Sequence, residues 1–398
     1  ATLKEGEIRL KKAFLQHRKI PVPLTLMEGH FLLTPEQIQF NGLKGKVGDS
    51  PVNVSGNLFR GSPSSPISSP KIGKGSSLAE SGRRLSFQIS SPELDLDPLF
   101  PEKEGTSLTS YEKIRDWLSN WSMDGKVQID KGRYRSLHYQ DLKVEIETVG
   151  GKLHIRPFQL KAAGGDFWGE GWIQPTEKGV NFEIRPRISN VETKAFIRTL
   201  FQKGEEERVI MTGRVHIDKV ELRGEGEDFQ KVKESLNGSL RFEVEEGIIE
   251  RWRTLSKIFS ILNVSQLFKG RLPDLKTKGL PYHQILANFY IQNGIASTDD
   301  FVVDSDAMRI TILGKVDLGK NLIDARIGVH PLVTIDTILS NVPIAGYILT
   351  GKDKGFISYF YEVKGNLDAP TIEALPLKSI EERSWGVIKR LLETPLRP

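Results

Sequence analysis

The chain is 398 residues long, 38% hydrophobic and 27% charged, with a formal net charge of +5 and no cysteine. That length suits two or three ordinary domains or one elongated one, and the missing cysteine excludes a disulfide scaffold, a thiol nucleophile and zinc–thiolate centres. Basic and acidic residues are interspersed, without an RNP, KH, zinc-finger or basic-helix signature, so the charge reads as a solvated face, compatible with weak attraction to anionic lipid headgroups but giving no support for a nucleic-acid partner.

Residues 1–123 read as an N-terminal β segment. "VPLTLMEGHFLLTPEQIQF" and the residues after it write short strands separated by turns. The stretch 60–84 is rich in serine, glycine and proline and reads as a long exposed loop or a flexible linker. A capping box, Thr109 with Glu112, opens a short helix near 110–121 that sets Tyr111, Ile114, Trp117 and Trp121 on one face.

Residues 124–250 repeat one pattern, apolar side chains alternating with polar ones as on a strand with one covered face. Val127 and Ile129 flank Gln128, Val144 and Ile146 flank Glu145, and Leu153 and Ile155 flank His154. Phe182 with Ile184, Val215 with Ile217, and Leu240, Phe242 and Val244 continue it. Lys131-Gly132 and Gly150-Gly151 are the expected hairpin turns, because glycine reaches positive φ without steric cost. A second capping box, Ser189 with Glu192, precedes a helix over "TKAFIRTLF". The alternation stops at Glu246-Gly247, where the chain is expected to turn. From Trp252 the spacing predicts a helix with Leu255, Ile258, Phe259 and Leu262 on one face.

Residues 251–375 return to hairpins after that helix. Ile285, Ala287, Phe289 and Ile291 share a strand face, Asn293-Gly294 is a strong turn, and Met308, Ile310 and Ile312 follow. "TIDTILSNVP" and "IAGYILTG" read as two short helical pieces broken at Pro343. Residues 376–398 form an amphipathic tail helix with Val387, Ile388, Leu391 and Leu392 on one side. No apolar run reaches the ~18 residues needed to span a bilayer. No signal peptide is visible and the chain opens with Ala1, so a fragment of a longer protein is expected, with any membrane anchor outside it.

No motif for covalent chemistry stands out. The seven histidines have no metal-ligand spacing, no Walker A loop occurs, and "RGEGEDF" has Phe229 where a dinucleotide fingerprint needs its last glycine. Ser110-x-x-Lys113 lacks the companion motifs of a penicillin-binding enzyme. Neither an enzyme nor a cofactor is expected. The apolar strand faces still need a cover. A second sheet would give a closed sandwich or barrel; alternatively the sheet curls into a trough whose inner face meets lipid chains. Alternation alone does not choose.

The order of several segments resembles the AsmA-like proteins of Gram-negative bacteria, the group of AsmA, TamB and YhdP, and most closely the YhdP-type C-terminal region. "VQIDKGRYRSLHYQDLKVEIETVGGKLHIRPFQLKAAGGDFWGEGWI" is similar to the family's strand unit with its Gly-Gly turn. "SLNGSLRFEVEEGIIERWRTLSKIFSILNV" is similar to its strand, turn and helix. "KGLPYHQILANFYIQNGIASTDDFVVDSDAMRITILGKVDLG", "TIDTILSNVPIAGYILTG" and "YEVKGNLDAPTI" follow in the family's order. The likeness covers about Asp124 to Ile372; the N-terminal third fits as more strands of the same kind.

The resemblance implies an elongated, curled antiparallel β-sheet forming an open hydrophobic groove, with a few helices toward the C-terminal end. It implies a periplasmic bridge-like lipid transport protein that carries phospholipid between the inner and outer membranes. The inner-membrane anchor would lie outside this chain, and the C-terminal end would make a possible outer-membrane contact. The alternatives are a scaffold that assembles outer-membrane proteins by β-strand addition, and a closed β-sandwich. Under the lead reading, the groove residues are Val127, Ile129, Val144, Ile146, Leu153, Ile155, Phe182, Ile184, Val215, Ile217, Leu240, Phe242, Val244, Phe289, Ile291, Ile310 and Ile312. The helix bearing Trp252, Leu255, Phe259 and Leu262 would cap the groove. The tail residues Val387, Ile388, Leu391 and Leu392 would face a membrane.

Overall fold

The computed structural model describes residues 5–16, 22–59, 83–99, 121–135, 137–177, 179–200, 209–252, 279–332, 348–349 and 356–375. They are mainly strand, and they divide into two compact units. One comprises Ala1–Ala162, Phe167–Ile184 and Glu225–Asp228; the other comprises Ala163–Asp166, Arg185–Gly224 and Phe229–Pro398.

The first unit holds β1 (Gly6–Leu15), β2 (Leu24–Leu33), β3 (Gln37–Val47), β4 (Ser50–Phe59), β5 (Arg83–Ser91), β6 (Leu94–Asp95), β7 (Trp121–Tyr134), β8 (Leu137–Val149) and β9 (Lys152–Ala162). Strands β10 (Gly165–Thr176) and β11 (Gly179–Glu192) contribute residues to both units. Sequence neighbours pair antiparallel from β1 to β5 and from β7 to β9. The exception to the expected meander is β7, which runs parallel to β5 and β6.

The Gly150-Gly151 turn is present, at φ 59° and 74°. Lys131-Gly132 is not a turn: both residues lie inside β7, and the chain bends at Arg135, φ 53°. Gly132 is glycine for space, since a Cβ there would come within 2.4 Å of the Tyr139 hydroxyl and 2.1 Å of the Leu94 carbonyl. Trp121 opens β7 rather than ending a helix. The rest of that expected helix and residues 60–82 lie outside the described residues; Arg83 and Arg84 already belong to β5. Extra residues at Lys12, Gly42 and Asp141, all at positive φ, shift the register of β1, β3 and β8. Such bulges bend a strand and sharpen its twist, which is how a sheet curls.

The second unit contains α1 (Thr193–Leu200), β12 (Val209–Met211), β13 (Arg214–Gly226, its end in the first unit), α2 (Phe229–Ser235), β14 (Asn237–Trp252), β15 (Leu280–Gln292), β16 (Ile295–Asp304), β17 (Met308–Asp317) and β18 (Leu322–Pro331). Strands β19 (Ile348–Leu349) and β20 (Phe356–Ile357) pair with each other, and β21 (Tyr359–Asn366) and β22 (Thr371–Leu375) follow. Strands β12 and β13 both pair with β14; from there the order β14, β15, β16, β17, β18, β21, β22 is antiparallel throughout. Among the described residues β1 pairs with β2 alone and β22 with β21 alone, so neither ladder closes into a barrel.

Helix α1 forms where expected, although Ser189 and Glu192 belong to β11 and do not cap it. Helix α2 is an addition to the sequence reading. The larger correction concerns Glu246-Gly247. Strand β14 runs straight through it: Gly247 still pairs with Tyr282 and Ile249 with Leu280. The break in alternation coincides with Glu246 at φ 44°, with no slip in register against β15. Trp252 is therefore the last residue of a strand, not the first turn of a helix. Leu255, Phe259 and Leu262 lie outside the described residues, as does the whole tail at 376–398. Ile348 and Leu349, expected in a helical piece, form a strand pair instead.

Candidate functional site

In an antiparallel or parallel ladder, residues directly opposite one another share a face. In the first unit this places Ile8, Phe31, Phe40, Gly56, Phe87, Gly125, Ile146 and Ile155 in one row across eight strands. A second row beside it runs Leu43, Val54, Ile89, Val127, Val144 and Phe158. A third runs Leu33, Ile38, Leu58, Leu85 and Met123. Eight strands about 4.8 Å apart make the first row roughly 34 Å long. Apart from buried Leu43 and Met123, the side chains of these rows are only partly covered, and Ile8 at the end is 49% exposed. The opposite face is polar. It carries exposed ion pairs such as Lys126–Glu145 at 3.2 Å and Arg156–Glu147 at 3.5 Å, each of little energetic consequence in water.

Along the strands the two margins of this apolar face differ. At one margin Ile129, 1% exposed, joins Val52, Leu94, Tyr139, Leu142 and Ala162 in a sealed cluster, with Leu96 and Leu99 packed against it. The Tyr139 hydroxyl donates to the Leu94 carbonyl at 2.8 Å, and burial, with Asp95 nearby, pushes its pKa up to about 12. At the other margin Arg83 stands in register with Trp121, its guanidinium 5.6 Å from the indole centroid. In the rows between them no side chain is charged.

The second unit uses the same alternation to a different end. Val215, Val244, Ile285, Val303, Ile310, Val329 and Tyr359 line up across seven strands and are all buried. Ile217, Phe242 and Ile312, one step along, are partly buried against that cluster, as are Phe196 and Ile197 of α1. Leu240 pairs with Phe289, both half-buried, and Ile291 is buried. Coverage therefore varies along the strands, from the sealed row through half-buried Leu240 and Phe289 to Ile291, which is buried again.

Of the seventeen residues picked from the alternation, Val127, Val144, Ile146, Leu153 and Ile155 stand on the partly covered face of the first unit. Phe182 and Ile184 are half-buried on β11. Ile129, Val215, Val244, Ile291 and Ile310 are sealed. Sequence reasoning missed Phe31, Phe40, Phe87 and Phe158, which are among the largest side chains on the exposed face. The signal for the first two was present in "HFLLTPEQIQF", where the same alternation runs.

One pair invites a catalytic reading and fails it. The His330 Nδ1 lies 2.7 Å from the Ser358 hydroxyl, with Thr311 at 3.0 Å from Nε2. Burial and then the Arg309 charge push the imidazole pKa down to about 3, and His330, Thr311 and Ser358 are out of solvent reach. A nucleophile needs access, so this is a satisfied interior network. Beside it Arg309 donates to Asp304 at 2.9 Å in a nearly buried ion pair. Among the described residues no group of three or more histidine, aspartate or glutamate side chains is placed to hold a metal.

A family model described as YhdP protein matches residues 196–372. No curated protein and no solved structure matches the chain.

Proposed function

We propose that this chain, a member of the AsmA-like family by its YhdP-type region at residues 196–372, is part of a bridge-like lipid transport protein. It would carry phospholipid in the periplasm between the inner and outer membranes, held to the inner membrane by an anchor outside this chain. The C-terminal end is the proposed contact with the outer membrane. Family membership supports lipid transport in general; the direction, the compartment and the phospholipid are this reading's own.

The observation that carries it is the set of three apolar rows in the first unit, partly exposed over a length of about 34 Å. That is roughly twice the ~15 Å hydrocarbon depth of one bilayer leaflet. Apolar surface left in water forfeits about 25 cal/mol per Å², and the partly covered side chains of these rows leave part of that energy unrecovered. Hydrocarbon chains laid along the rows recover that energy without a directional bond to break, so they can slide. Arg83, on Trp121 at the margin, gives a phosphate headgroup a cation at the water's edge.

Strand addition at a free edge is the weaker reading. Strand β1 has an open edge and exposed Phe14 and Leu15, but its bulge at Lys12 interrupts the hydrogen-bonding register a client strand would need. The test is organic extraction of the purified protein followed by lipid mass spectrometry, with photo-crosslinking from Val127. Co-purified phospholipid and crosslinks to it are expected. Protein that carries no lipid, takes up none from vesicles and gives no crosslink would refute the proposal.

A further inference from the structure

On the apolar face of the first unit, three phenylalanine rings lie over glycines of the next strand. A Cβ on Gly56 would meet the Phe40 ring at 2.8 Å, one on Gly125 the Phe87 ring at 2.3 Å, and one on Gly169 the Phe158 ring at 2.3 Å. All three lean the same way, each from its own strand toward a paired strand later in the chain: β3 over β4, β5 over β7, β9 over β10. A ring with a side-chain-free neighbour can lie down on the sheet; a ring beside a Cβ must stand up. The glycines thus let three of the largest side chains of this face lie against the sheet.

We propose that Phe40, Phe87 and Phe158, each laid flat by its glycine, set the clearance of the lipid path and admit acyl chains lying across the strands. The proposal rests on the lipid-carrying reading above and deepens it. The glycines are positioning residues and the rings are the surface the chain slides over. Gly56 also faces the Ser86 carbonyl at 2.3 Å, so a side chain there would disturb the backbone as well. The three atoms nearest a Cβ on Gly125 or Gly169 all belong to the ring, which makes these two the cleaner test.

The experiment compares wild type, Gly125→Ala, Gly169→Ala and the double variant Gly125→Ala with Phe87→Ala. Each is assayed for co-purified lipid and for uptake of a polyene fatty acid whose fluorescence rises in an apolar site, and each is unfolded in urea. Each single glycine variant should lose lipid and probe occupancy about tenfold, as expected for overpacking of a close contact. Removing the Phe87 ring should restore occupancy in the double variant, although it does not restore stability. Folded glycine variants with unchanged occupancy, or a double variant no better than Gly125→Ala, would overturn the assignment of the rings while leaving the lipid reading intact. Wild type that takes up neither lipid nor probe would instead sink the lipid reading itself.

Discussion

His330 shows how strongly a single position depends on its surroundings. Its ring sits between two hydroxyls, edge-on to Phe360 at 5.7 Å, with a pKa pushed down to about 3 by burial. The unfolded imidazole titrates near its ordinary 6.5, so between those values the unfolded chain binds a proton that the folded one refuses. Stability from this group is complete above pH 6.5 and is lost as the pH falls toward 3. Urea unfolding of the wild type should weaken from pH 7 to pH 5, by up to about 1.4 kcal/mol per pH unit below 6.5. His330→Gln should flatten that slope; an identical slope in the variant would show that the ring is not held neutral. None of this was legible in the sequence, where His330 is one of seven scattered histidines. Arg83 was equally silent, because its meaning comes from register with Trp121 across a parallel pair. Arg83→Ala should lower uptake of lipids with anionic headgroups from vesicles and leave uptake of a neutral fatty alcohol unchanged; an equal fall in both would deny it a headgroup role.

At the scale of the element, alternation found the strands and misplaced several of their ends. The reason is the bulge. Lys12, Asp141 and Lys219 all hold positive φ without being glycine, so the sequence carries no mark at the position where the register slips. Glycine misled in the opposite direction. Gly132 and Gly247 looked like turns and are close approaches inside strands: a Cβ on Gly247 would come within 2.1 Å of the Thr212 carbonyl and 2.6 Å of the Tyr282 hydroxyl. That crossing is where β12 attaches, through paired bonds between Thr212 and Ile248 and a hydrogen bond from the Tyr282 hydroxyl to the Thr212 carbonyl. Gly247→Ala should therefore detach β12 and leave the centre of the sheet standing. Amide exchange should speed up at Ile210–Met211 and stay slow at Val302–Val303. Unchanged protection at β12 would mean that the strand tolerates the extra carbon by sliding, and the close approach would not be what requires glycine.

For the whole molecule, the mainly β, antiparallel architecture was legible because a two-residue period has few other solutions, whereas the open sheet was expected from the family resemblance and not from the alternation. What covers each apolar face was not, since alternation looks the same whether the face meets another side chain, water or a hydrocarbon chain. Ile155 and Ile310 read alike in the sequence, each an isoleucine between polar neighbours. The fold separates them: Ile155 is partly exposed in the long row of the first unit, whereas Ile310 is 0% exposed at the centre of the sealed row of the second. Ile155→Asp should fold, with a urea midpoint close to wild type, because a carboxylate there keeps access to water. It should cut lipid occupancy sharply, because a charge in the path must be desolvated each time a chain passes. Ile310→Asp should unfold the second unit, a carboxylate in that row having neither partner nor water. Circular dichroism and lipid extraction on the two variants separate the outcomes. If Ile155→Asp also unfolds, the first unit's face is ordinary core; if it folds and keeps its lipid, the rows are not the path.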